Sequence, residues 1–470
     1  MKHSLYRAVL GMFSFYGSLY ALIHPRYSAR TMSQSIRDFG SLVGQTVEVQ
    51  GWAYNVRSSG SIAFLQLRDG SGFTQAVVAK QSIDEASWQA AVDTTIESSV
   101  VVEGTVTKHP KQENVYELQA TKVTLLHKSD EYPIGKKEHG PDFLFDNRDL
   151  YLRSKTPWAV LRIRDRVFFS IEQFFHEEGF IRFDTPIIQP TSCEDTTQLF
   201  TVNYYDTPAY LSQSGQLYSE AGIMGFGKVY DFGPVFRAEK SKTRHHLSEL
   251  WMMDAEMAFH DQAMNMAVQE RMVKRIVKDV LEQCQAELKI LERDTTILQR
   301  LVNEPFVHLK HMEAKRILKE EGLITKEVYD DSYWYDDMST EEEIALGNKY
   351  QLPIFIEDYP AEVKAFYMKR FTDEGGRLRA RCADLIAPEE GREIIGGSQR
   401  EESYEKLKQE ILDHNYPLEK YEWYLNTRKY GTVPHAGFGI GLERTVRWIC
   451  GVHHIRETIA FPRMLNRMEP

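Results

Sequence analysis

Cysteine is scarce in this 470-residue chain: Cys193, Cys284, Cys382 and Cys450 are the only four, and they lie far apart. No two fall at zinc-finger spacing and no disulfide framework can be drawn, which excludes a zinc ribbon and a stapled secreted module. No apolar run is long enough to span a bilayer with confidence. The longest, "AVLGMFSFYGSLYALI" from Ala8 to Ile23, is short and broken by glycine and serine. Internal repeats and low-complexity tracts are absent as well. A net charge of −11 argues against a chain coated in nucleic acid, though a local basic groove remains open. At this length two or three domains are expected rather than one core.

Acidic residues are missing from the first 37 positions, which carry Lys2, Arg7, Arg26, Arg30 and Arg37 before Asp38 appears. Residues 1–37 therefore stand apart as a basic, apolar extension. A secretory or organellar presequence fits. So does an upstream in-frame start, with Met32 as the first residue of a cytoplasmic protein, the reading we expect.

Residues 38–126 show five short β-type runs, "TVEVQGWAYNV", "IAFLQLRD", "FTQAVVAK", "VVVEGTVTKH" and "YELQATKVTLL". The helical stretch "IDEASWQAAV" lies between the third and fourth. Period-two alternation and the turn signals "RSSGS" and "RDGSG" predict strands. A helix after the third of five strands is the order of an OB-fold, a barrel that often binds oligonucleotides, although the pattern leaves a generic β-barrel equally open. A polar link over 127–147 follows. The remainder, 148–470, reads as mixed α and β. Thr156-Pro157 is expected to open a helix with its apolar stripe on Val160, Ile163, Val167, Ile171 and Phe175. Extended runs are expected around "GQLYSEAGIMGFGKVYDFGPVFRAE" and "ELWMMDAEMAF". A mainly helical, charged stretch over about 261–345 resembles an insertion.

Two segments suit a nucleotide. In "GTVPHAGFGIGLERTVRWICG" the glycines at 437, 439 and 441 strip one face of a predicted strand, and Glu443 and Arg444 follow at once. A bared backbone ending in a guanidinium suits a flat anionic ligand, while glycines in a strand also serve bulges and close packing. In "DFGPVFRAEKSKTRHHLSELWMMDAE", Arg237 and Glu239 end a strand. A loop bearing Lys240, Lys242, Arg244, His245 and His246 then leads into the next. A guanidinium binds phosphate bidentately and loop cations can clamp a polyphosphate, although a solvated loop between strands has the same composition.

"FRAE" with its loop and "GFGIGLER" resemble motifs 2 and 3 of the class II aminoacyl-tRNA synthetases, and "GFIRFDTPIIQP", with Pro186, resembles the dimer-interface motif 1. The chain looks like the Asp/Asn/Lys subgroup, and "YLSQSGQLYSEAG", "IEDYPAEVKAFYM", "EIIGGSQREE" and "YGTVPHAGFGIGLER" are similar to its asparagine-specific members. The resemblance runs from about Val47 to Pro462. It implies an α+β multidomain protein, an N-terminal OB-fold followed by a catalytic domain on an antiparallel β-sheet flanked by helices. It also implies a homodimer, no membrane, ATP and L-asparagine as substrates, magnesium as cofactor, and tRNA(Asn) as the acceptor of the asparaginyl group.

The resemblance also assigns roles. Arg237 contacts the α-phosphate and the substrate carboxylate, Glu239 the adenine, and His246 lies in the loop holding the β- and γ-phosphates. Arg444 stacks on the adenine and reaches the γ-phosphate. Asp384 and Glu393 match the acidic pair that binds magnesium, an ion suited to hard carboxylate oxygens. Leu250 departs from the family, which usually has phenylalanine there, so weaker ATP binding is expected: base–aromatic stacking contributes about 1–3 kcal/mol. Glu194 matches the grip on the α-amino group, and Gln213 lines the same pocket.

For the side chain, aspartate-specific members resemble "QSPQLYKQ". Here Ser219 replaces the lysine and Glu220 follows. Glu220 can accept from an amide and repels a carboxylate, while Arg400 donates to the amide oxygen. A like charge about 4 Å away costs roughly 4 kcal/mol at an effective dielectric of about 20, on the order of a thousandfold in rate. For the anticodon, Phe64 and Gln75 match residues that stack on and hydrogen-bond the central base, with Arg57 as a phosphate contact. A core phenylalanine and a surface glutamine are the alternative there. Aspartate–tRNA ligase and a non-catalytic tRNA-binding paralogue are the competing functions.

Overall fold

The computed structural model describes residues 33–135, 137–193, 198–325, 329 and 332–469. The expectations for most of the extension, residues 1–32, and for Glu194 lie outside them. The chain divides into two compact units, with the boundary between Glu138 and His139.

In the first unit, strands β1 (Thr46–Ser59), β2 (Ile62–Arg68), β3 (Phe73–Ala79), β4 (Ser99–Lys108) and β5 (Tyr116–His127) close a barrel in the order β1-β2-β3-β5-β4. Helix α1 (Glu85–Asp93) joins β3 to β4, and the Asp84 carboxylate caps it by accepting from the Ser87 amide. Alternation sets the barrel's interior. Ala63, Leu65 and Leu67 are buried with Val47, Val49, Val78 and Val102, so Phe64 and Gln66 take the opposite face. The order and closure are those of an OB-fold.

The second unit is built on an eight-stranded sheet. Its elements in chain order are α2 (Lys155–Glu177), β6 (Ile181–Arg182), α3 (Gln216–Phe226), β7 (Lys228–Phe236), β8 (Glu249–Ala258) and α4 (Gln262–Gln283). There follow β9 (Val307–Lys310), α5 (Thr340–Tyr350), β10 (Ile354–Glu357), β11 (Cys382–Ala387), β12 (Arg392–Gln399), α6 (Leu418–Lys429), β13 (His435–Gly441) and α7 (Leu442–Cys450). The strands run β9-β10-β11-β12-β13-β8-β7-β6. The six from β10 to β7 are antiparallel as expected, but β9 and β6 add in parallel at the two edges, so the sheet is mixed.

Three local expectations change. Helix α2 starts at Lys155 after Ser154, so Pro157 lies within its first turn rather than at its first position. Its stripe is nonetheless the core, since Val160, Ile163, Val167, Ile171 and Phe175 are fully enclosed. The run after Gly215 is helix α3, which Gly227, at φ +79°, terminates before β7. The stretch 261–345 is mainly helical but is not a separate insertion. Helix α4 carries Met266, Met272, Ile276 and Val280 into the main core against the sheet, and β9 pairs with β10. Among the described residues no helix is long and apolar enough to cross a membrane.

Candidate active site

The glycine alternation of β13 has a geometric cause. Gly437, Gly439 and Gly441 pair with Glu256, Asp254 and Met252 of β8, and the Glu256 and Asp254 carboxylates lie across Gly437 and Gly439. A Cβ at Gly439 would stand 2.6 Å from Asp254 Oδ1, and one at Gly437 would collide with the Glu256 carboxylate. On the other side Gly396 of β12 pairs with Gly439. Three strands thus form a nearly bare floor on which carboxylates and a ligand can lie close to the backbone.

Two adjoining clefts sit on this floor. One, of about 270 Å³, is lined by Arg237, Glu239, His245, His246, Leu250, Glu393 and Arg444, among others. The second, of about 410 Å³, shares Arg237, Glu239, Met252 and Glu393 with it and adds Asp254, Lys364, Asp384 and Arg400. Residues from the two nucleotide-suited segments, about two hundred positions apart in the chain, therefore meet at one place.

The first cleft has unfilled hydrogen-bonding capacity. Arg237, just beyond β7, donates to the Gln213 carbonyl at 2.7 Å, which fixes its guanidinium between the clefts. Glu239 Oε2 and His246 Nε2 are buried with no partner among the described residues, an acceptor and a ring nitrogen in a wall that can serve a ligand. Arg444, in the first turn of α7, donates to the Glu393 carbonyl at 2.9 Å and to its carboxylate at 3.2 Å. Leu250 lies in the same wall. Burial lowers the proton affinity of His246, Glu239 opposes this, and Arg237 and Arg444 add to it. His245 is pushed down to about 3 by burial and by Arg447, Arg392, Arg244 and Arg444. Both imidazoles are thus neutral at pH 7, and the fixed positive charge is carried by guanidiniums.

Asp384 and Glu393 approach each other across Gly396, where a Cβ would lie 3.7 Å from Asp384 Oδ1 and 3.1 Å from Glu393 Oε1. Lys364 holds the other Asp384 oxygen at 2.7 Å. Burial pushes Asp384 up to about 6; Lys364 opposes this and the Glu393 charge adds to it. Burial likewise works against ionisation of Glu393, but Arg444 and Lys364 outweigh it and keep its carboxyl low. Two crowded hard oxygens facing one gap fit a magnesium ion that takes its remaining ligands from water and phosphate.

The amino-acid end differs from its expected form. Glu220, on α3, is fully enclosed and does not line either cleft. Its Oε2 accepts from Arg428 at 2.5 Å, Tyr424 at 2.8 Å and His435 at 3.2 Å, and its Oε1 accepts from Gln216 at 3.0 Å. Although burial opposes ionisation, Arg428, His435 and Arg400 hold the carboxyl well below its ordinary range. The direct, uncompensated repulsion of about 4 kcal/mol is therefore an upper bound, because Arg428 neutralises most of the charge. Arg400 does line the second cleft, but it is gripped by Glu256 at 2.5 and 3.2 Å and donates to Ser398 at 2.7 Å. Burial, with Glu220 and Asp254 adding and Arg400 opposing, raises Glu256 above its ordinary range, but the two-point contact with the Arg400 guanidinium keeps it paired as a carboxylate. Gln213 is buried behind the wall, where it accepts from the Cys193 amide at 3.3 Å. Ser219 is buried too, and its hydroxyl has no partner among the described residues.

Sequence reasoning missed Glu256, Arg428, Tyr424 and Lys364. The charge of Glu256 on a strand that must be buried was a usable signal, since a buried carboxylate needs a partner. On the barrel, the outward face brings Arg57, Phe64 and Gln75 together. The Arg57 guanidinium lies 4.8 Å over the Phe64 ring and donates to Gln75 Oε1 at 3.0 Å. Gln75 Nε2 donates to Glu117 at 2.8 Å, which adds a fourth residue. Phe64 is thus not a core residue. Pro186 is exposed on the segment between β6 and Gln189, whose side chain donates to the Pro186 carbonyl at 2.8 Å.

Residues 140–465 match the family described as tRNA synthetases class II (D, K and N), and residues 47–126 match the OB-fold nucleic acid binding domain. The chain belongs to the class II tRNA synthetases of this D, K and N group. It is similar to the asparaginyl-tRNA synthetase of Pyrococcus horikoshii complexed with asparaginyl-adenylate, at 36% identity and TM-score 0.86, covering 94% of this chain and 100% of that one. The asparaginyl-tRNA synthetase of Entamoeba histolytica is 30% identical at TM-score 0.83, covering 93% and 100%. The aspartyl enzyme of the same organism is 27% identical at TM-score 0.78, covering 95% of each chain. As a member of this family the chain is an aminoacyl-tRNA ligase that uses ATP and tRNA.

Proposed function

We propose that the chain is an asparagine–tRNA ligase, which adenylates L-asparagine with ATP and transfers it to tRNA(Asn). The observation that carries this reading is the charge balance around Arg400. Two guanidiniums, Arg400 and Arg428, face two carboxylates, Glu220 and Glu256, with salt bridges at 2.5 Å in each pair. A neutral amide leaves that balance intact, whereas a carboxylate adds an uncompensated buried charge. No lysine stands at 219 to receive one. Both asparaginyl enzymes above are more similar to this chain than the aspartyl enzyme is, which favours the same substrate.

In the activation step, the asparagine carboxylate attacks the α-phosphate and pyrophosphate leaves. Arg237, held between the clefts, orients both groups and stabilises the negative charge that develops on the α-phosphate oxygens. Glu239 Oε2 accepts from the adenine amino group. His246 and Arg444 hold the triphosphate tail, with Arg444 over the base opposite Leu250. Asp384 and Glu393 would hold magnesium, which neutralises phosphate charge when bound. Glu194 is assigned to the α-amino group by resemblance. On the barrel, Phe64, Gln75 and Arg57 read the anticodon.

The homodimer is proposed on the face around Pro186, where Ile181, Ile187, Ile188 and Phe226 are all more than 40% exposed. A start at Met32 and a cytoplasmic location belong to the same reading, and N-terminal sequencing of the natural protein checks them. The function itself is tested by charging tRNA(Asn) and tRNA(Asp) transcripts with labelled amino acids. Asparagine on tRNA(Asn) alone is expected; aspartate on either transcript would favour aspartate–tRNA ligase.

A further inference from the structure

Beyond the triphosphate end of the nucleotide cleft lies a separate cleft of about 460 Å³, walled by Arg293, Asn348, Arg447, Trp448 and His453 together with Glu389 and Glu390. Arg447 follows Arg444 by one turn of α7 and is only 5% exposed. It belongs to a group of four guanidiniums with Arg244, Arg392 and Arg444. Three of the four have carboxylate partners. Arg244 pairs with Glu390 at 3.1 Å, Arg392 with Glu343 at 3.1 Å and Arg444 with Glu393 at 3.2 Å.

Arg447 has none among the described residues. It donates only to two backbone carbonyls, those of Glu390 and, at 3.5 Å, His453. Glu390, which lines the same cleft, attracts it without forming an ion pair, so the buried charge is only partly compensated and an anion would complete the site. Burial and the three other guanidiniums, with Glu390 opposing, lower its proton affinity to about 10, so it remains charged at neutral pH. Arg293 is already filled, since Glu389 takes its fork at 2.9 and 2.6 Å. The vacant capacity is therefore at Arg447.

The two clefts share a partition. His245 and His246 line the nucleotide cleft, and the neighbouring Arg244 crosses to His453 at 2.7 Å and to Glu390, both in the wall of the Arg447 cleft. On the reading proposed above, His246 holds the triphosphate tail, which puts the end of that tail at this partition. Arg244 reaches both sides, and its side chain is about one-third exposed, so it can turn without unpacking the core.

We propose that the cleft at Arg447 is a second phosphoanion site, which receives the pyrophosphate released by adenylation after it passes Arg244. A guanidinium fork suits phosphate oxygens, and of the four arginines Arg447 alone has no carboxylate ion pair among the described residues to compete with a phosphate. Free orthophosphate has the same chemistry, and the test separates the two. The inference rests on the reading that the first cleft binds the ATP triphosphate.

The test uses the full chain with magnesium. α,β-Methylene-ATP and asparagine are titrated first to saturation, which fills the triphosphate subsite. Inorganic pyrophosphate is then titrated by calorimetry, and orthophosphate in a parallel run. Expected are one further equivalent of pyrophosphate, orthophosphate at least tenfold weaker, and a loss of at least tenfold in Arg447→Met. Arg447→Lys, which keeps the charge but loses the fork, should bind pyrophosphate more tightly than Arg447→Met and more weakly than the wild type. No pyrophosphate binding to the saturated wild type would overturn the proposal. So would binding unchanged in Arg447→Met, and orthophosphate binding as tight as pyrophosphate would overturn the assignment to the leaving group. If the ATP analogue itself does not bind, the nucleotide reading fails, and pyrophosphate binding to wild type against Arg447→Met still judges the second cleft.

Discussion

Replacing Arg428 with methionine tests the buried network behind the amino-acid pocket. Arg428 and Glu220 have no exposed side-chain surface, and their contact is 2.5 Å. Removing one partner of a buried pair costs about 3–5 kcal/mol, because the other is left as an uncompensated charge. Glu220 keeps Tyr424, His435 and Gln216 as donors and has Arg400 at 3.9 Å, which places the expected loss at the lower end, about 3 kcal/mol. The double variant Glu220→Gln/Arg428→Met removes the stranded charge and should recover about 1–2 kcal/mol, a coupling typical of residues in contact. The sign with pH follows from the depressed carboxyl. In the wild type Glu220 contributes stability above the unfolded carboxyl value of about 4.3, and this is lost as pH falls below it. Without Arg428 its carboxyl rises, so the deficit of the single variant should be largest at neutral pH and shrink in acid. Urea unfolding followed by tryptophan fluorescence reads all three proteins. A single-variant loss below about 1 kcal/mol, or a double variant no better than the single, would refute the reasoning.

Four further outcomes are expected. Leu250→Phe adds a stacking face opposite Arg444 and should lower the KM for ATP by roughly fivefold to a hundredfold, from about 1–3 kcal/mol of base–aromatic stacking, as steady-state exchange kinetics would read. Gly396→Ala places a Cβ 3.1 Å from Glu393 and 3.7 Å from Asp384, so it should raise the magnesium and ATP requirements while the melting temperature changes little. Glu117→Ala removes the acceptor that orients Gln75, so the KM for tRNA should rise about tenfold, from the loss of about 1.5 kcal/mol for a hydrogen bond to a charged group, with amino-acid activation unchanged. His245 is held neutral in the folded chain, so its contribution is lost as pH falls below the unfolded value of about 6.5. His245→Gln should therefore lose less stability than the wild type between pH 6.5 and pH 4 in urea titrations.

The barrel was legible because its evidence is local: alternation sets the faces and loop chemistry the turns, so five strands and a helix follow from the pattern. The glycine strand was legible as a strand, but its reason, the carboxylates of Asp254 and Glu256 lying across it, needs the β8–β13 register that no local pattern carries. Helix α3 was misread because its sequence is apolar nearly all round, which hides the helical period, and only its flanking Gly215 and Gly227 mark its ends. Residues 261–345 misled in a different way. Their exposed charged face is conspicuous, whereas the Met266 to Val280 stripe that joins the core is visible only once the sheet it covers is known. At the site, Arg237, Glu239, His246 and Arg444 were found through motifs, each short in sequence. Arg428 and Tyr424 were not, since their partner Glu220 lies about two hundred residues away and only the tertiary fold brings them together.

Asparagine specificity is proposed on the buried charge balance at Arg400, which a neutral amide preserves and a carboxylate disturbs. Amino-acid-dependent ATP–pyrophosphate exchange on the purified chain tests it most directly, with asparagine and aspartate compared at equal concentration. Exchange with asparagine, and at least a hundredfold less with aspartate, is the predicted result. Exchange favouring aspartate would contradict the charge-balance argument while leaving the family intact, and no exchange with either would contradict the assignment of an activating enzyme.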